Sequence, residues 1–141
     1  MRVIGFNLTK INIEKFKESV EDLKINTKIN ISNIGRVKYD FLKSKEEIIE
    51  VKFSYKINYD PELAIINISG GLILAVDFKS SKEILKQWEE KKMPEDLRVF
   101  LFNIILKKFS LKALSLEDEL NLPPHISLPL LKKQSEEDSS N

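Results

Sequence analysis

The chain has 141 residues, 42% hydrophobic and 32% charged, which is enough for one domain with a buried core and too short for two. Its 23 basic and 22 acidic residues leave a formal charge of +1, without the positive excess typical of proteins that track a phosphate backbone. Cysteine is absent and His125 is the single histidine, which excludes disulfides, thiolate chemistry and metal sites built from these residues. We therefore expect no cofactor, no metal and no nucleic acid partner.

No segment has the pattern of a membrane span or a secretory signal. The longest apolar run, residues 72–76, is far shorter than the roughly 18 residues that a spanning helix needs. The N-terminal segment alternates and carries charges, whereas a signal peptide has an unbroken apolar centre. The sequence therefore predicts a cytoplasmic protein with no integral membrane segment.

Three segments in the first half of the chain have the alternation of a β-strand with one buried face. The clearest covers residues 49–59, and residues 24–32 repeat the pattern. In the N-terminal segment the apolar parity changes between Leu8 and Ile11. Because successive side chains of a strand point to opposite faces, we expect a bulge or bend around Thr9-Lys10.

A fourth strand is predicted after the turn signal Asp60-Pro61-Glu62. Residues 63–78 are rich in β-branched side chains and keep one apolar parity across Gly70-Gly71. Paired glycines inside a strand indicate a bulge or another backbone that passes close by. The first half of the chain is therefore predicted to form a four-stranded antiparallel sheet.

Helical spacing replaces the strand pattern after the fourth strand. Ser81 is the predicted N-cap of a short amphipathic helix that carries Trp88 and ends before Pro94. A longer helix is predicted from Pro94 to about Lys108, with acidic residues in its first turn. Residues 109–120 could extend this helix or form a strand-like link, and both alternatives stay open.

The longer helix is apolar over most of its circumference. Val99, Phe102 and Leu106 lie on the side opposite the positions expected to face the sheet. A domain of this size has little interior in which to enclose them, so we interpret these three residues as an oligomer interface. We expect a homo-oligomer, either a dimer or a tetramer, with burial inside the monomer as the alternative.

A proline-rich segment follows the helices. The three prolines of residues 121–129 exclude a helix, so this strap should run extended across the surface with its leucines anchored on apolar groups. His125 is a candidate general base, but no nucleophile motif accompanies it, and we favour a surface or packing role. We predict no catalytic residue, and hence a non-enzymatic single α+β domain over residues 1–133 with a disordered polar tail at 134–141.

The order of these elements resembles that of the SecB family of protein-export chaperones. Four antiparallel strands precede helical structure, and residues 121–129, NLPPHISLP, occupy the place of the family's glycine- and proline-rich segment. The resemblance implies a sheet with helices packed on it, assembly as a dimer of dimers, and binding of unfolded polypeptides in apolar grooves. The near-neutral charge differs from the acidic export chaperone, so engagement of a translocation motor is left open.

We therefore predict an ATP-independent holding chaperone for unfolded client proteins, with a link to protein export as a further implication. The alternative is a non-enzymatic adaptor subunit with one defined protein partner. An extended client would lay apolar side chains on aromatic and aliphatic surface, with backbone hydrogen bonds adding affinity that ignores sequence. Core packing is the alternative for every candidate and is favoured for Phe53 and Tyr55. The candidate peptide-binding residues are Phe53, Tyr55, Tyr59, Trp88, Leu122, Ile126 and Leu128.

Overall fold

The computed structural model describes residues 1–38, 46–131 and 133. A sheet of four strands is followed by two helices and a proline-rich strap without regular secondary structure, and the predicted α+β fold is confirmed. The predicted polar tail at 134–141 lies outside the described residues. The elements are β1 (Arg2–Lys15), β2 (Lys24–Val37), β3 (Glu46–Asp60), β4 (Ala64–Asp77), α1 (Phe78–Trp88) and α2 (Glu95–Glu119).

The sheet is antiparallel throughout, with the strand order β1-β4-β3-β2. The predicted turn at Asp60-Pro61 joins β3 to β4 as the central hairpin. β1 and β2 form the two edges, so the chain crosses one end of the sheet between them. Residues from opposite ends of the first half of the chain therefore become neighbours on the same sheet face.

The bulge predicted in β1 is present. The register of β1 on β4 shifts between Leu8 and Lys10, the position at which the apolar parity changes in the sequence. One extra residue restores the parity, so that Leu8 opposite Gly70 and Ile11 opposite Ile68 share a sheet face. Further shifts occur near Gly5 and in β2 before Asn33.

Gly70 is required by the close approach of the bulged β1 backbone. A Cβ atom at Gly70 would lie 2.6 Å from the carbonyl oxygen of Asn7 and 2.9 Å from the Cα of Leu8. β4 itself keeps an unbroken register with β3 through both glycines. The bulge therefore lies in the neighbouring strand, and the glycine leaves room for it.

One face of the sheet carries the core. Alternate side chains of β3 and β4 on this face are fully buried, and Phe109 of α2 packs among the aromatic rings, with its centroid 5.0 Å from that of Phe53. Four residues span slightly more than one helical turn, so a buried stripe with a spacing of four residues winds around α2. This winding explains part of the apolar character around its circumference. The stripe consists of Leu97, Leu101, Ile105, Phe109, Ala113 and Glu117.

α1 begins earlier than the sequence predicts, and the predicted N-cap is corrected. The carboxylate of Asp77 caps the helix by accepting a hydrogen bond from the backbone N–H of Ser80, 2.6 Å away. Ser81 lies inside the first turns and is buried, and its hydroxyl donates to Glu47. Asp77 takes the cap because it combines extended backbone geometry with a charged acceptor at the end of β4.

α2 extends through the segment that the sequence left undecided. It begins after Pro94, as predicted, and continues to Glu119 because Phe109, Ala113 and Glu117 prolong the buried stripe. Tertiary packing therefore settles a stretch whose local pattern fits two structures. Within the described ranges, no helix combines the length and the apolarity needed to cross a membrane.

Candidate functional site

A buried polar network fixes the strap to the helix and the sheet. His125 of the strap lies between two partners: Nδ1 is 2.9 Å from Oε1 of Glu117 on α2, and Nε2 is 3.0 Å from the hydroxyl of Tyr55 on β3. The hydroxyl of Tyr59, four residues further along β3, donates to the other oxygen of Glu117. We call Tyr55, Tyr59, Glu117 and His125 the strap latch.

The latch is enclosed by protein. The side chains of Glu117 and His125 are each 2% exposed, and both tyrosines are fully buried. A buried carboxylate is tolerated only when its oxygens have donors, and here the tyrosine and the imidazole supply them. His125 therefore has a packing role. The proline-rich setting suggested an exposed segment, but the imidazole itself is buried. Substrate could reach its imidazole only after the strap had moved.

Both tyrosine hydroxyls stay protonated at neutral pH. Burial, followed by the hydrogen bond with Glu117 and its negative charge, raises the pKa of Tyr59 far above its ordinary value. Burial also raises the pKa of Tyr55, against a smaller lowering by its hydrogen bond with Ser110. Each neutral hydroxyl therefore has a proton to donate, and the Tyr55 hydroxyl has the Ser110 hydroxyl and Nε2 of His125 as neighbours.

The strap divides into an anchored half and an exposed half. Leu122 is buried, and its backbone N–H donates to the carbonyl of Glu117, 2.8 Å away. Beyond the latch, Ile126 is 44% exposed and Leu128 48%. Leu130 and Leu131 follow, and both are largely exposed. A short row of apolar side chains thus projects from a segment that the latch holds against the body of the protein.

The predicted peptide-binding residues separate into two groups. One group is buried, as the alternative of core packing predicts, and its side chains are not accessible to a peptide in this structure. This group consists of Phe53, Tyr55, Tyr59 and Leu122. Their burial follows from the cover that α2 and the strap place over this face of the sheet. The residues that remain accessible are Trp88, Ile126 and Leu128.

Trp88 is half-buried at the end of α1. Its indole nitrogen is buried without a hydrogen-bond partner in the part of the chain that the structure describes. The Lys91 ammonium lies over its ring, 4.8 Å from the centroid. The side chain therefore combines an apolar surface with an unused donor.

The predicted interface residues lie on one side of α2. Val99 is 46% exposed and Leu106 40%, whereas Phe102 is half-buried and partly covered by the Arg98 guanidinium, 5.8 Å from its ring centroid. Leu111, which the sequence reasoning missed, is 67% exposed on the same helix. Self-association through this side stays a prediction.

Sequence reasoning also missed a groove where the first turns of α1 and α2 meet. It has a volume of about 630 Å³ and is mainly apolar, with Met1 at its edge. No periodicity could reveal it, because it depends on how two helices pack. Its lining includes Ser80, Glu83, Ile84 and Leu97.

Glu117 is the residue of the latch that sequence reasoning overlooked, although a signal was present. It continues the four-residue spacing of the apolar stripe, so the helix pattern places a carboxylate on the buried side. A carboxylate in that position needs a partner, and the single histidine follows eight residues later. In the described ranges, no three histidine, aspartate or glutamate side chains come together as a metal site would require.

Comparison with known proteins addresses the fold. No protein-family model matches the chain, and no curated protein matches it either. Among solved structures, it is similar to a SecB-like chaperone from Mycobacterium tuberculosis in complex with a ChAD peptide from the HigA1 antitoxin. The TM-score is 0.51 at 11% sequence identity, and the match covers 95% of this chain and 92% of that chain. The fold is SecB-like.

The similarity concerns the overall fold. The match extends over 95% of this chain and 92% of that chain, so it is not confined to one element. At 11% identity the likeness concerns architecture, and the residues that line each surface are particular to this chain. The site must therefore be argued from the exposed apolar side chains and the latch.

Proposed function

We propose that this chain is an ATP-independent holding chaperone that binds non-native polypeptides on exposed apolar surface. The observation that carries the proposal is the SecB-like fold, matched over nearly the full length of a chaperone solved with a bound peptide. The exposed half of the strap supplies surface suited to the task, because apolar side chains bind extended chains without regard to sequence. Such binding involves no covalent step and no cofactor, so we propose a non-enzymatic protein.

Ile126, Leu128 and Trp88 are the proposed client contacts. Ile126 and Leu128 are two residues apart in the strap, and both side chains are exposed. The buried candidates, including Tyr55 and Tyr59, hold the strap in place and act through it. We therefore assign the latch a positioning role, and the exposed strap residues the contact role.

An adaptor for one defined partner is the second candidate. It is supported by the bound ligand of the neighbouring structure, a peptide from an antitoxin, which is a defined protein. An adaptor should ignore unrelated unfolded proteins, whereas a chaperone should bind many of them. Promiscuity therefore separates the two candidates.

Homo-oligomerisation is part of the proposal. Val99, Phe102 and Leu106 give α2 an apolar side that a second copy could cover. A cytoplasmic location and a contribution to protein export are further parts of the proposal, and the contribution to export follows from the resemblance to the export chaperone. An oligomer would also present several straps to one client, which raises the overall affinity.

The test is light scattering from a chemically unfolded model protein diluted with and without this chain. We expect the chain to suppress aggregation of several unrelated proteins near a one-to-one ratio. The double variant Ile126→Ser, Leu128→Ser should weaken client binding roughly ten- to thirtyfold, because two half-buried aliphatic contacts are lost. Titration calorimetry with an unfolded client measures the change.

The matched control removes exposed apolar side chains elsewhere. Ile4→Ser with Phe16→Ser takes two residues of similar exposure from β1 and the turn after it. This variant should bind clients as the parent chain does. Suppression for one protein only would favour the adaptor, and equal loss in both variants would contradict the strap as the binding surface.

A further inference from the structure

The sheet face turned away from α2 is polar and rich in lysine. Side chains at the even positions of β3 point to this outer face, opposite the buried odd positions such as Tyr55. The strand register places Lys10 of β1, Lys52 and Lys56 of β3 and Lys28 of β2 on the same face. Three strands contribute, so no basic block is visible along the sequence.

Residues that lie opposite one another across the four strands form a row, and three successive rows on the outer face carry these lysines. No acidic and no aromatic residue occupies a position in these rows, and Glu14 and Asp60 lie beyond one end of them. At the other end the Glu50 carboxylate leans over Gly71, where a Cβ atom would be 2.6 Å from its Oε2. Asparagine and serine fill most of the remaining positions. In strand order the rows are Asn7-Gly71-Lys52-Asn33, Lys10-Ser69-Ser54-Asn30 and Asn12-Asn67-Lys56-Lys28.

The positive charges on this face have no ion-pair partner among residues 1–38, 46–131 and 133. In the described ranges, none of the four lysines forms an ion pair. Lys28 lies directly opposite Lys56 in the β2–β3 register, and like charges in such cross-strand positions destabilise a sheet. Three of the four side chains are exposed and Lys56 is half-buried. Stability of the fold does not explain this cluster of like charges, whereas an anionic partner would reduce the repulsion between them.

We propose that this outer face is a docking surface for an extended acidic polypeptide segment. Four lysines within three rows attract carboxylates, and the asparagine and serine side chains can hydrogen-bond to a peptide backbone. Along an extended chain, carboxylates on alternate residues repeat about every 7 Å, which is also the separation of neighbouring rows. Lys52 and Lys56, two rows apart, would therefore meet carboxylates four residues apart in the peptide.

Two other occupants fit this face less well. Single-stranded nucleic acid is bound largely through bases stacked on aromatic side chains, and the three rows contain none. A second copy of this chain would place lysines against lysines. The proposal goes beyond the proposed chaperone function, because the strap lies over Tyr55 and Tyr59 on the opposite face of the sheet.

The experiment measures fluorescence anisotropy of a fluorescein-labelled peptide of alternating glutamate and serine. The full chain should bind it at low salt, bind the matched glutamine-serine peptide much more weakly, and lose affinity as salt is added. Lys28→Glu with Lys56→Glu should lower the affinity about tenfold or more, because it opposes like charges across the contact. The single variant Lys28→Glu should melt no lower than the parent chain, since it creates an opposite-charge pair with Lys56.

The control variant Lys17→Glu with Lys112→Glu makes the same change in net charge at exposed positions away from these rows. It should leave the affinity unchanged, and an equal loss in both double variants would overturn the proposal. The proposal also fails if the peptide does not bind at low salt. A labelled oligothymidylate that binds more tightly than the peptide would overturn the assignment in favour of nucleic acid.

A separate measurement keeps this proposal distinct from the chaperone function. Lys28→Glu with Lys56→Glu should suppress aggregation of unfolded proteins as well as the parent chain does, because the outer face and the strap are on opposite sides. Loss of acidic-peptide binding with unchanged suppression supports the docking surface. Loss of suppression together with peptide binding would contradict the independence of the two faces.

Discussion

A single imidazole connects the strap to both layers of this protein. His125 bridges Glu117 of α2 and Tyr55 of β3, and the side chains of His125 and Glu117 are almost completely buried. The strap contains no regular secondary structure, so few backbone hydrogen bonds hold it. Its position therefore depends on the latch, and the exposed Ile126 directly follows the imidazole in the chain.

His125→Ala should destabilise the protein by about 3 kcal/mol, because it leaves the buried Glu117 carboxylate with one donor fewer. Urea unfolding followed by circular dichroism measures the loss. The double variant Glu117→Gln, His125→Ala should lose less than the sum of the two single variants, since it removes the buried charge together with its partner. Full additivity would contradict the coupling between these two residues.

Tyr59 should make the protein sensitive to alkaline pH. Burial and the neighbouring Glu117 raise its pKa from 10.0 in the folded state, so the unfolded chain releases the phenolic proton at lower pH than the folded chain does. The stabilising contribution is complete below pH about 10. Above it, the free energy of unfolding should fall by about 1.4 kcal/mol per pH unit until the folded state also titrates.

Tyr59→Phe is the variant that isolates this effect. Denaturant midpoints measured from about pH 8 to 11 should fall less steeply with pH for the variant than for the parent chain. Tyr55, whose pKa is also raised, keeps part of the slope in both proteins. Parallel curves would show that Tyr59 holds its proton no more tightly in the folded state.

At the level of elements, the sheet depends on a close fit between a bulge and a glycine. The extra residue in β1 near Thr9 restores the apolar parity, and the displaced backbone then passes over Gly70 of β4. Gly5, by contrast, has no heavy atom within 4 Å of the position its Cβ would occupy. The two glycines thus form a matched pair for testing the role of close backbone approach.

Gly70→Ala should destabilise the protein by about 2 kcal/mol, because the new methyl group meets the backbone of Asn7 and Leu8, which cannot move aside as a flexible side chain can. Gly5→Ala should be neutral or slightly stabilising, since it restricts only the unfolded chain. Thermal unfolding of both variants measures the difference. Equal stability would mean that β1 can shift without loss of packing.

At the scale of the whole molecule, three surfaces differ in chemistry. The strap offers apolar side chains on one side of the sheet, and the lysine rows occupy the other. One side of α2 exposes further apolar residues, including Val99 and Leu106. The proposed client binding, charged docking and self-association therefore use different residues.

Val99→Lys with Leu106→Lys should convert the proposed oligomer into a monomer, because two charges would have to be buried in an apolar contact. Size-exclusion chromatography with in-line light scattering gives the mass directly. Ser115→Lys, at an exposed position near the C-terminal end of the same helix, should leave the mass unchanged. A monomeric parent chain would contradict the interface assigned to this side of α2.

The strands and both helices could be predicted because their signals are local. Alternation marks residues 49–59, the parity change near Thr9 marks the bulge, and Pro94 marks the start of α2. The start of α1 was predicted too far along the chain, because Ser81 and Asp77 are both suitable N-cap residues. The position at which β4 ends makes Asp77 the N-cap. Local chemistry thus gives the kind of element more reliably than its first residue.

The candidate site was predicted only in part. Ile126 and Leu128 are exposed, in agreement with a contact role, but Tyr55, Tyr59 and Leu122 are buried. Aromatic residues on one parity of a strand predict an apolar face, and nothing in that pattern states whether a helix or a client covers it. The same ambiguity left a surface role and a packing role both open for His125.

What the sequence determined by itself is the α+β class, the four strands, the two helices and the extended strap, because each depends on spacing within a short window. What only the tertiary structure decided is which distant residues meet. The strap latch joins positions 55, 59, 117 and 125, and the lysine rows join three strands through the order β1-β4-β3-β2. Strand order, register and helix packing are collective properties of the folded chain, so no local pattern could contain them.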